Sequence, residues 1–242
     1  MIVVVPTCAS FADTWSPFAA LLRRYWRDHP PDWSVHLLTD SVPSDAPVCE
    51  FDFVHEHASN SWCRRLHWLL TTQVPHERVV LMLQDDFFLM GHANTEAIRA
   101  AETLIMRRAD IGAIRLNPCP GPADERDVEH VAGVPLGEVH RGEPYRVSCQ
   151  ATVWRTDFLA RGLACVPENE GTPSDFEFHA TREANAWPDR VLCVPRSYRP
   201  PVLDYFCTAV IRGKWHADAL ALCVREEIQV KTTRATWEGE PQ

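Results

Sequence analysis

Apolar residues fall along the chain in short continuous runs, separated by stretches with helical spacing. Ile2–Val5 is a β-branched run stopped by Pro6, which predicts a buried first strand. Ser16-Pro17 supplies an N-cap and an N1 proline for an amphipathic helix ending near Asp28. Trp33–Thr39 predicts a second strand ending at Asp40, and residues 41–59, rich in Pro, Asp and His, read as loop. Asn60-Ser61 caps a helix over about Trp62–Gln73, with Trp62, Leu66, Leu69 and Leu70 on its apolar side. Val79–Leu83 is apolar at every position, the pattern of a central strand covered on both faces.

Asn94 opens a further helix through about Arg108, and Ile111–Leu116 predicts another strand. Residues 117–142 read as the most loop-like stretch, and Tyr145–Trp154 resumes strand character. Thr172-Pro173-Ser174-Asp175 starts a helix towards Asn185, Val191–Val194 predicts a short strand, and a last helix spans about Trp215–Glu227. The polar residues Lys231–Gln242 read as a frayed tail. Strands alternating with helices predict an α/β, Rossmann-like fold with a mostly parallel central sheet flanked by helices.

The length of 242 residues suits one large domain, able to bury about 70% of its unfolded surface without a disulfide or metal staple. With 24 basic against 33 acidic side chains, the net charge of -9 argues against nucleic acid as a bulk partner. The apolar runs fall far short of the roughly 18 residues of a spanning helix, so no transmembrane segment is expected. Peripheral membrane association is left open. The N-terminus lacks a basic segment before its short apolar run, so no signal peptide is expected. No two of the nine cysteines are closer than fourteen positions, so no CxxC pair exists. Several sit in apolar stretches, which reads as a reduced, cytoplasmic protein.

The chemistry concentrates where Val79–Leu83 gives way to Gln84-Asp85-Asp86-Phe87. A carboxylate buried without a partner costs several kcal/mol, so something positive must face the pair. Ligands of open α/β sheets sit outside the carboxyl ends of the strands, and hard divalent cations suit oxygen donors. Acids capping a turn or meeting arginines are the plainer alternative.

A first strand ending in Pro-Thr, a helix opening at Ser61-Trp62, and an apolar strand followed by Gln84-Asp85-Asp86-Phe87 resemble the nucleotide-sugar half of GT-A glycosyltransferases. The likeness is to bacterial enzymes of polysaccharide and glycoconjugate assembly and covers roughly residues 1–225. It implies a GT-A-like single domain over 1–228, with a nucleotide-sugar half at about 1–112, an acceptor half at about 113–228, and a polar tail at 229–242. It also implies transfer of a sugar from a nucleoside diphosphate sugar, UDP-linked, to a hydroxyl of a glycan or small molecule, with inversion. Gln84 stands where the first Asp of DxD would be, leaving Asp86 as the metal ligand and Asp85 as a ribose or supporting partner. The implied cofactor is Mn²⁺ or Mg²⁺.

By order along the chain, Arg212, Lys214 and His216 match the family's late basic groups for the diphosphate and its late histidine for the metal. A helix-start residue packed on Trp215 is the other reading of His216. Thr7, Asp40 and Arg65 are expected at the nucleotide, from their places at strand ends and on the Trp62 helix. On the acceptor side, Asp175 and Glu177 are both available to take the proton of an incoming hydroxyl. Thr172-x-x-Asp175 also has the form of a capping box, which leaves Glu177 as the preferred base. A nucleotidyltransferase acting on a sugar phosphate is a rival, although Cys8–Asp13 contains neither the glycine nor the basic residue of its usual loop. A non-catalytic nucleotide- or sugar-binding protein on the same scaffold is the other.

Overall fold

The computed structural model describes residues 1–46, 48–119, 121, 129–231 and 234–237. Its first half runs β1 (Ile2–Pro6), α1 (Ala12–Tyr25), β2 (Ser34–Thr39), β3 (Phe53–Glu56), α2 (Trp62–Trp68), β4 (Val79–Met82), β5 (Phe88–Leu89), α3 (Thr95–Arg107) and β6 (Ile111–Arg115). The second half runs β7 (Glu129–Val131), β8 (Val134–Val139), β9 (Thr152–Arg155), α4 (Thr156–Ala164), α5 (Pro173–Ala184), β10 (Arg190–Cys193), β11 (Tyr205–Phe206), β12 (Val210–Ile211), β13 (Lys214–His216), α6 (Ala217–Arg225) and β14 (Thr236–Trp237). Among the described residues, nine strands form the central sheet in the order β3-β2-β1-β4-β9-β6-β10-β8-β7. Strands β3 through β4 are mutually parallel. β9 runs antiparallel to both β4 and β6, which it joins. β10 lies parallel to β6, and β8 and β7 complete that edge in antiparallel pairing.

Alternation along the strands builds a core on each face. Val3 and Val5 of β1 and Val79 and Leu81 of β4 pack with Trp15 and Phe18 of α1 and Ile98 of α3. Ile2, Val4, Val80 and Met82 point the other way, onto Leu66 of α2, Phe158 of α4 and Phe176 of α5. Each fully buried Val or Leu of this kind stabilises by about 1.5–3 kcal/mol, ample to tolerate two costly acids at the strand end.

Several expectations need correction. The first helix begins at Ala12, with Pro17 inside it, rather than at Ser16-Pro17. Residues 41–59, read as loop, contain edge strand β3, whose Phe53 is 53% exposed and Val54 only partly buried, so a sheet edge of this kind shows no apolar run. Residues 117–142 contain β7 and β8, and residues 120 and 122–128 of that stretch lie outside the described ones. Of the expected Tyr145–Trp154 strand only Thr152–Trp154 is strand, and β9 continues to Arg155. Upstream of it, buried Arg115 takes up two backbone carbonyls of the segment, and buried Arg146 ties the segment to its neighbours. Arg115 donates to Tyr145 O (2.5 Å) and Arg146 O (3.0 Å). Arg146 in turn donates to Ala184 O and Asp189 O, both at 2.7 Å. The last helix starts at Ala217 because Lys214–His216 is a strand, and Thr236–Trp237 of the expected frayed tail pairs with it. Residues 232, 233 and 238–242 lie outside the described ones.

Strand β2 contributes an acid-labile spot. His36 is buried, with Nε2 2.7 Å from Ser34 Oγ and Nδ1 2.9 Å from His55 Nε2. Burial first, and the neighbouring His55 second, push its pKa from an ordinary 6.5 down to about 4, with Asp52 opposing. The unfolded chain therefore takes up this proton at higher pH than the folded one. The stability involved is full above about 6.5 and is lost as pH falls towards about 4. His36→Gln is expected to move the acid-unfolding midpoint to lower pH, measured by circular dichroism across pH 3–7 (about the range of a His titration).

Candidate active site

The carboxyl ends of β1, β2 and β4 open onto a cavity of about 690 Å³. Thr7, Asp40, Arg65, Asp85, Asp86 and Glu177 all line it. Six of the ten side chains expected at the site thus meet in one place. They come from three strand ends, α2 and α5.

The paired acids differ in their surroundings. Asp85 is 6% exposed, and its Oδ2 accepts from Thr7 Oγ1 (2.6 Å) and Thr14 Oγ1 (2.7 Å). Trp15 Nε1 donates to Thr7 Oγ1 at 3.0 Å and fixes that hydroxyl. Burial, and then the adjacent Asp86, push the Asp85 pKa up against the two hydroxyl donors. Asp86 is half-buried; its Oδ2 accepts from Thr208 Oγ1 at 2.5 Å, and its main-chain oxygen accepts from Ala209 N at 2.8 Å. Burial raises its pKa as well, while the Thr208 hydroxyl pulls it down. Among the described residues, neither acid has an ion-pair partner; Arg234, whose charge is felt at Asp86, forks onto Asp13 instead.

A buried and a half-buried carboxylate with no cationic side chain bonded to them among the described residues fit a divalent ion by their chemistry. Among the described residues, no three His, Cys, Asp or Glu side chains group as a complete protein cage. Magnesium-like ions are commonly held by one or two carboxylates and completed by substrate phosphates, which this donor set matches.

The nucleoside-side candidates are locked into the backbone. Arg65 is 3% exposed and donates to Thr7 O (2.8 Å) and to Ser59 O, leaving Nε as a buried donor with no partner. It is therefore a buried brace at the end of β1 rather than an arginine on a solvated helix face. Asp40 Oδ1 accepts from Ala9 N (2.7 Å), Ser41 N (2.9 Å) and Thr39 Oγ1 (3.1 Å). Burial opposes its charge, but these bonds together hold its pKa low. Gln84 is 8% exposed, and its Nε2 and the Trp62 Nε1 are two further unpartnered donors on the cavity wall.

Glu177, which also lines the cavity, sits on the first turns of α5. Its Oε1 accepts from Cys149 N (2.7 Å) and Ser148 Oγ (3.1 Å), and among the described residues Oε2 has no partner. The segment that supplies those donors is docked on the same helix, because Thr181 Oγ1 bonds both the N and the O of Val147. Gly171 lets the approach to α5 press onto α2: a Cβ there would overlap Ser61.

Asp175 has the capping role its spacing suggests. Its Oδ2 accepts from Thr172 N (2.8 Å), Gly171 N (3.0 Å) and Thr172 Oγ1 (2.7 Å), while its own N donates to Thr172 Oγ1 (3.2 Å). The amide donors of Gly171 and Thr172 hold its pKa low. Asp175→Ala is expected to cost about 1 kcal/mol of stability, as loss of a helix-start acceptor does, and to leave turnover nearly unchanged. A melting curve alongside the rate assay checks both.

Arg212, Lys214 and His216 are not brought to this cavity wall. Arg212 (φ 51°) and Gly213 (φ 75°) form the two-residue turn between β12 and β13, where both positions need positive φ. Lys214 is exposed, and His216 caps α6 by accepting from Asp218 N (3.1 Å) between the rings of Phe206 and Trp237. The sequence reading missed Thr14, Thr208, Ser148 and Arg234. Arg234 donates to Ser10 O and covers the Phe11 ring at 4.3 Å, on the rim of the cavity. Nothing in their local spacing marks them, since each acts on a residue far away in the chain.

No protein-family model matches the chain, and no curated protein matches it in sequence. Solved structures do match. S. aureus TarS, residues 1–349, superposes with a TM-score of 0.52 at 17% identity, over 86% of this chain and 60% of that one. The same protein in complex with UDP gives 0.50 at 16% identity, over 95% and 66%. The fold is that of the GT-A-like glycosyltransferases. A mannosyltransferase, PcManGT from Pyrobaculum calidifontis, in complex with GDP-Man and Mn²⁺, also shares the GT-A-like fold, with a TM-score of 0.50 at 15% identity over 88% and 57%. The chain spans 57% to 66% of the length of these three matched chains. Among the described residues, no helix of this GT-A-like domain is long and apolar enough to cross a membrane.

Proposed function

We propose that the chain is a glycosyltransferase that moves a sugar from a nucleoside diphosphate sugar, UDP-linked, to a hydroxyl of a glycan or small molecule. The observation that carries the proposal is that one cavity is lined both by an acid pair at the strand ends and by a carboxylate on α5, the pair having no ion-pair partner and Glu177 Oε2 no bonded partner among the described residues. Structures sharing the fold hold UDP in one case and GDP-Man with Mn²⁺ in another, which supports the donor class.

In this reading Thr7, Asp40, Arg65 and Asp85 hold the nucleoside, in a half made of about residues 1–112. Asp86 would hold Mn²⁺ or Mg²⁺, an ion that neutralises the charge of the departing diphosphate. Glu177 takes the acceptor's hydroxyl proton on Oε2 as the new C–O bond forms. The bond from the anomeric carbon to the phosphate oxygen breaks on the opposite face, and the diphosphate leaves with that electron pair. One displacement gives inversion. The proposal does not rest on Arg212, Lys214 or His216.

The test is a panel of UDP-, GDP- and other nucleotide sugars with and without Mn²⁺, read as release of free nucleoside diphosphate. Release from one donor supports a transferase. Turnover of nucleoside triphosphates with sugar phosphates would replace it with a nucleotidyltransferase, and ligand-raised melting without any turnover would leave a binding protein.

A further inference from the structure

Thr208 has a backbone that a threonine should avoid. Its φ of 69° lies in the left-handed region, where a β-branched side chain is a true outlier. Conformations of this sort persist only where the surroundings over-determine them, and they gather at functional sites. The surroundings here are specific. Ala209 N donates to Asp86 O (2.8 Å), and Ala209 O accepts from His216 N (2.7 Å). On the other side, β11 pairs with β5, the strand that follows the acids, through Tyr205–Leu89 and Phe206–Phe88. The segment 205–210 is thus pinned at both ends to the acid-bearing segment, with Thr208 between the pins. The strained backbone brings Thr208 Oγ1 to Asp86 Oδ2 at 2.5 Å, and that hydroxyl also reaches Val210 O at 3.2 Å. Cys207 and Thr208 both face the cavity.

We propose that Thr208 is a positioning residue whose hydroxyl orients the Asp86 carboxylate and keeps it ready as a cation ligand, a role the late histidine does not fill in this chain. The inference rests on the reading of Asp86 as the cation carboxylate. A hydroxyl that donates to one carboxylate oxygen favours the charged form and leaves the other oxygen for the ion. Second partners of this kind commonly change metal affinity by about 10–100-fold. The pins on either side impose the left-handed backbone, and the bond to Asp86 is what the threonine side chain adds there. A glycine at 208 would keep the backbone without strain and lose the side chain, hydroxyl included.

The experiment measures Mn²⁺ affinity by electron paramagnetic resonance in the presence of saturating UDP. It compares the unaltered chain, Thr208→Gly, Thr208→Ser and Asp86→Ala, with a melting curve for each. Thr208→Gly is expected to weaken Mn²⁺ binding by at least about tenfold while melting at the same temperature or higher, since glycine tolerates this φ. Thr208→Ser is expected to restore affinity to within a few-fold. Equal Mn²⁺ affinity in Thr208→Gly and the unaltered chain overturns the proposal, as does a serine variant as weak as the glycine one. If Asp86→Ala binds Mn²⁺ normally, or the unaltered chain binds none, the cation reading of Asp86 falls and this inference falls with it. If Asp86→Ala alone loses the ion, that reading stands and only the role of Thr208 is lost.

Discussion

Glu177→Gln is expected to lower turnover by about 10²–10⁴, the share a positioned base contributes, or about 3–5 kcal/mol of barrier. The substitution leaves the environment nearly intact. Glutamine Oε1 can still accept from Cys149 N and Ser148 Oγ, so the α5 anchor and the melting temperature should change little. What is lost is the basic Oε2 facing the cavity. Donor affinity should change little, because Glu177 bonds to Cys149 N and Ser148 Oγ and to none of the nucleoside-side candidates. The measurement is kcat and Kd for the active donor, with melting curves. Full activity in Glu177→Gln would remove α5 from the chemistry, and a collapse of stability would reassign Glu177 to holding the 147–150 segment.

The second large effect is expected at Asp86. Asp86→Ala should abolish the Mn²⁺-dependent part of UDP binding, read by titration calorimetry with and without the metal. The same substitution should raise the melting temperature of the metal-free protein. Burial disfavours the Asp86 charge, Asp85 lies beside it, and no described residue pairs with either acid. Removing one carboxylate therefore relieves repulsion and desolvation together. A variant that is more stable yet unable to use Mn²⁺ would separate the chemical role of this acid from any structural one. Unchanged UDP affinity with and without Mn²⁺ would move the cation elsewhere.

How far the sequence could be read follows from how local each signal is. Val79–Leu83 is apolar on both faces, and its strand and the acids behind it were legible without any partner in view. So was the capping box at Thr172-Asp175, which is decided within four residues. The strand β9 was misjudged in extent, because what ends it is the capture of Tyr145 and Arg146 carbonyls by Arg115, some thirty positions earlier in the chain. The β12–β13 segment was read by residue type, as two basic groups and a histidine near a phosphate. Its glycine and the preceding arginine are there for a two-residue turn, and the turn carries the histidine onto a helix start. Thr208 was invisible for a further reason. No rule of composition marks a threonine that must adopt a positive φ, since the demand comes from pins at Tyr205–Phe206 and Ala209 on segments far upstream.

The placement of β9 also bears on how this chain comes to be folded. β4 ends at Met82 and β6 at Arg115, yet the strand that knits them together is synthesised only at Thr152–Arg155. Until β9 is made, β4 lacks a partner on its outer side and β6 lacks the strand that links it to the first half. Bare edges of this kind are templates for pairing with other molecules. Pairings between residues so distant in sequence are also slow to form. The two halves cannot therefore be exchanged like cassettes. A cut near residue 112 would leave the first part with β4 as an unpaired edge rather than independent.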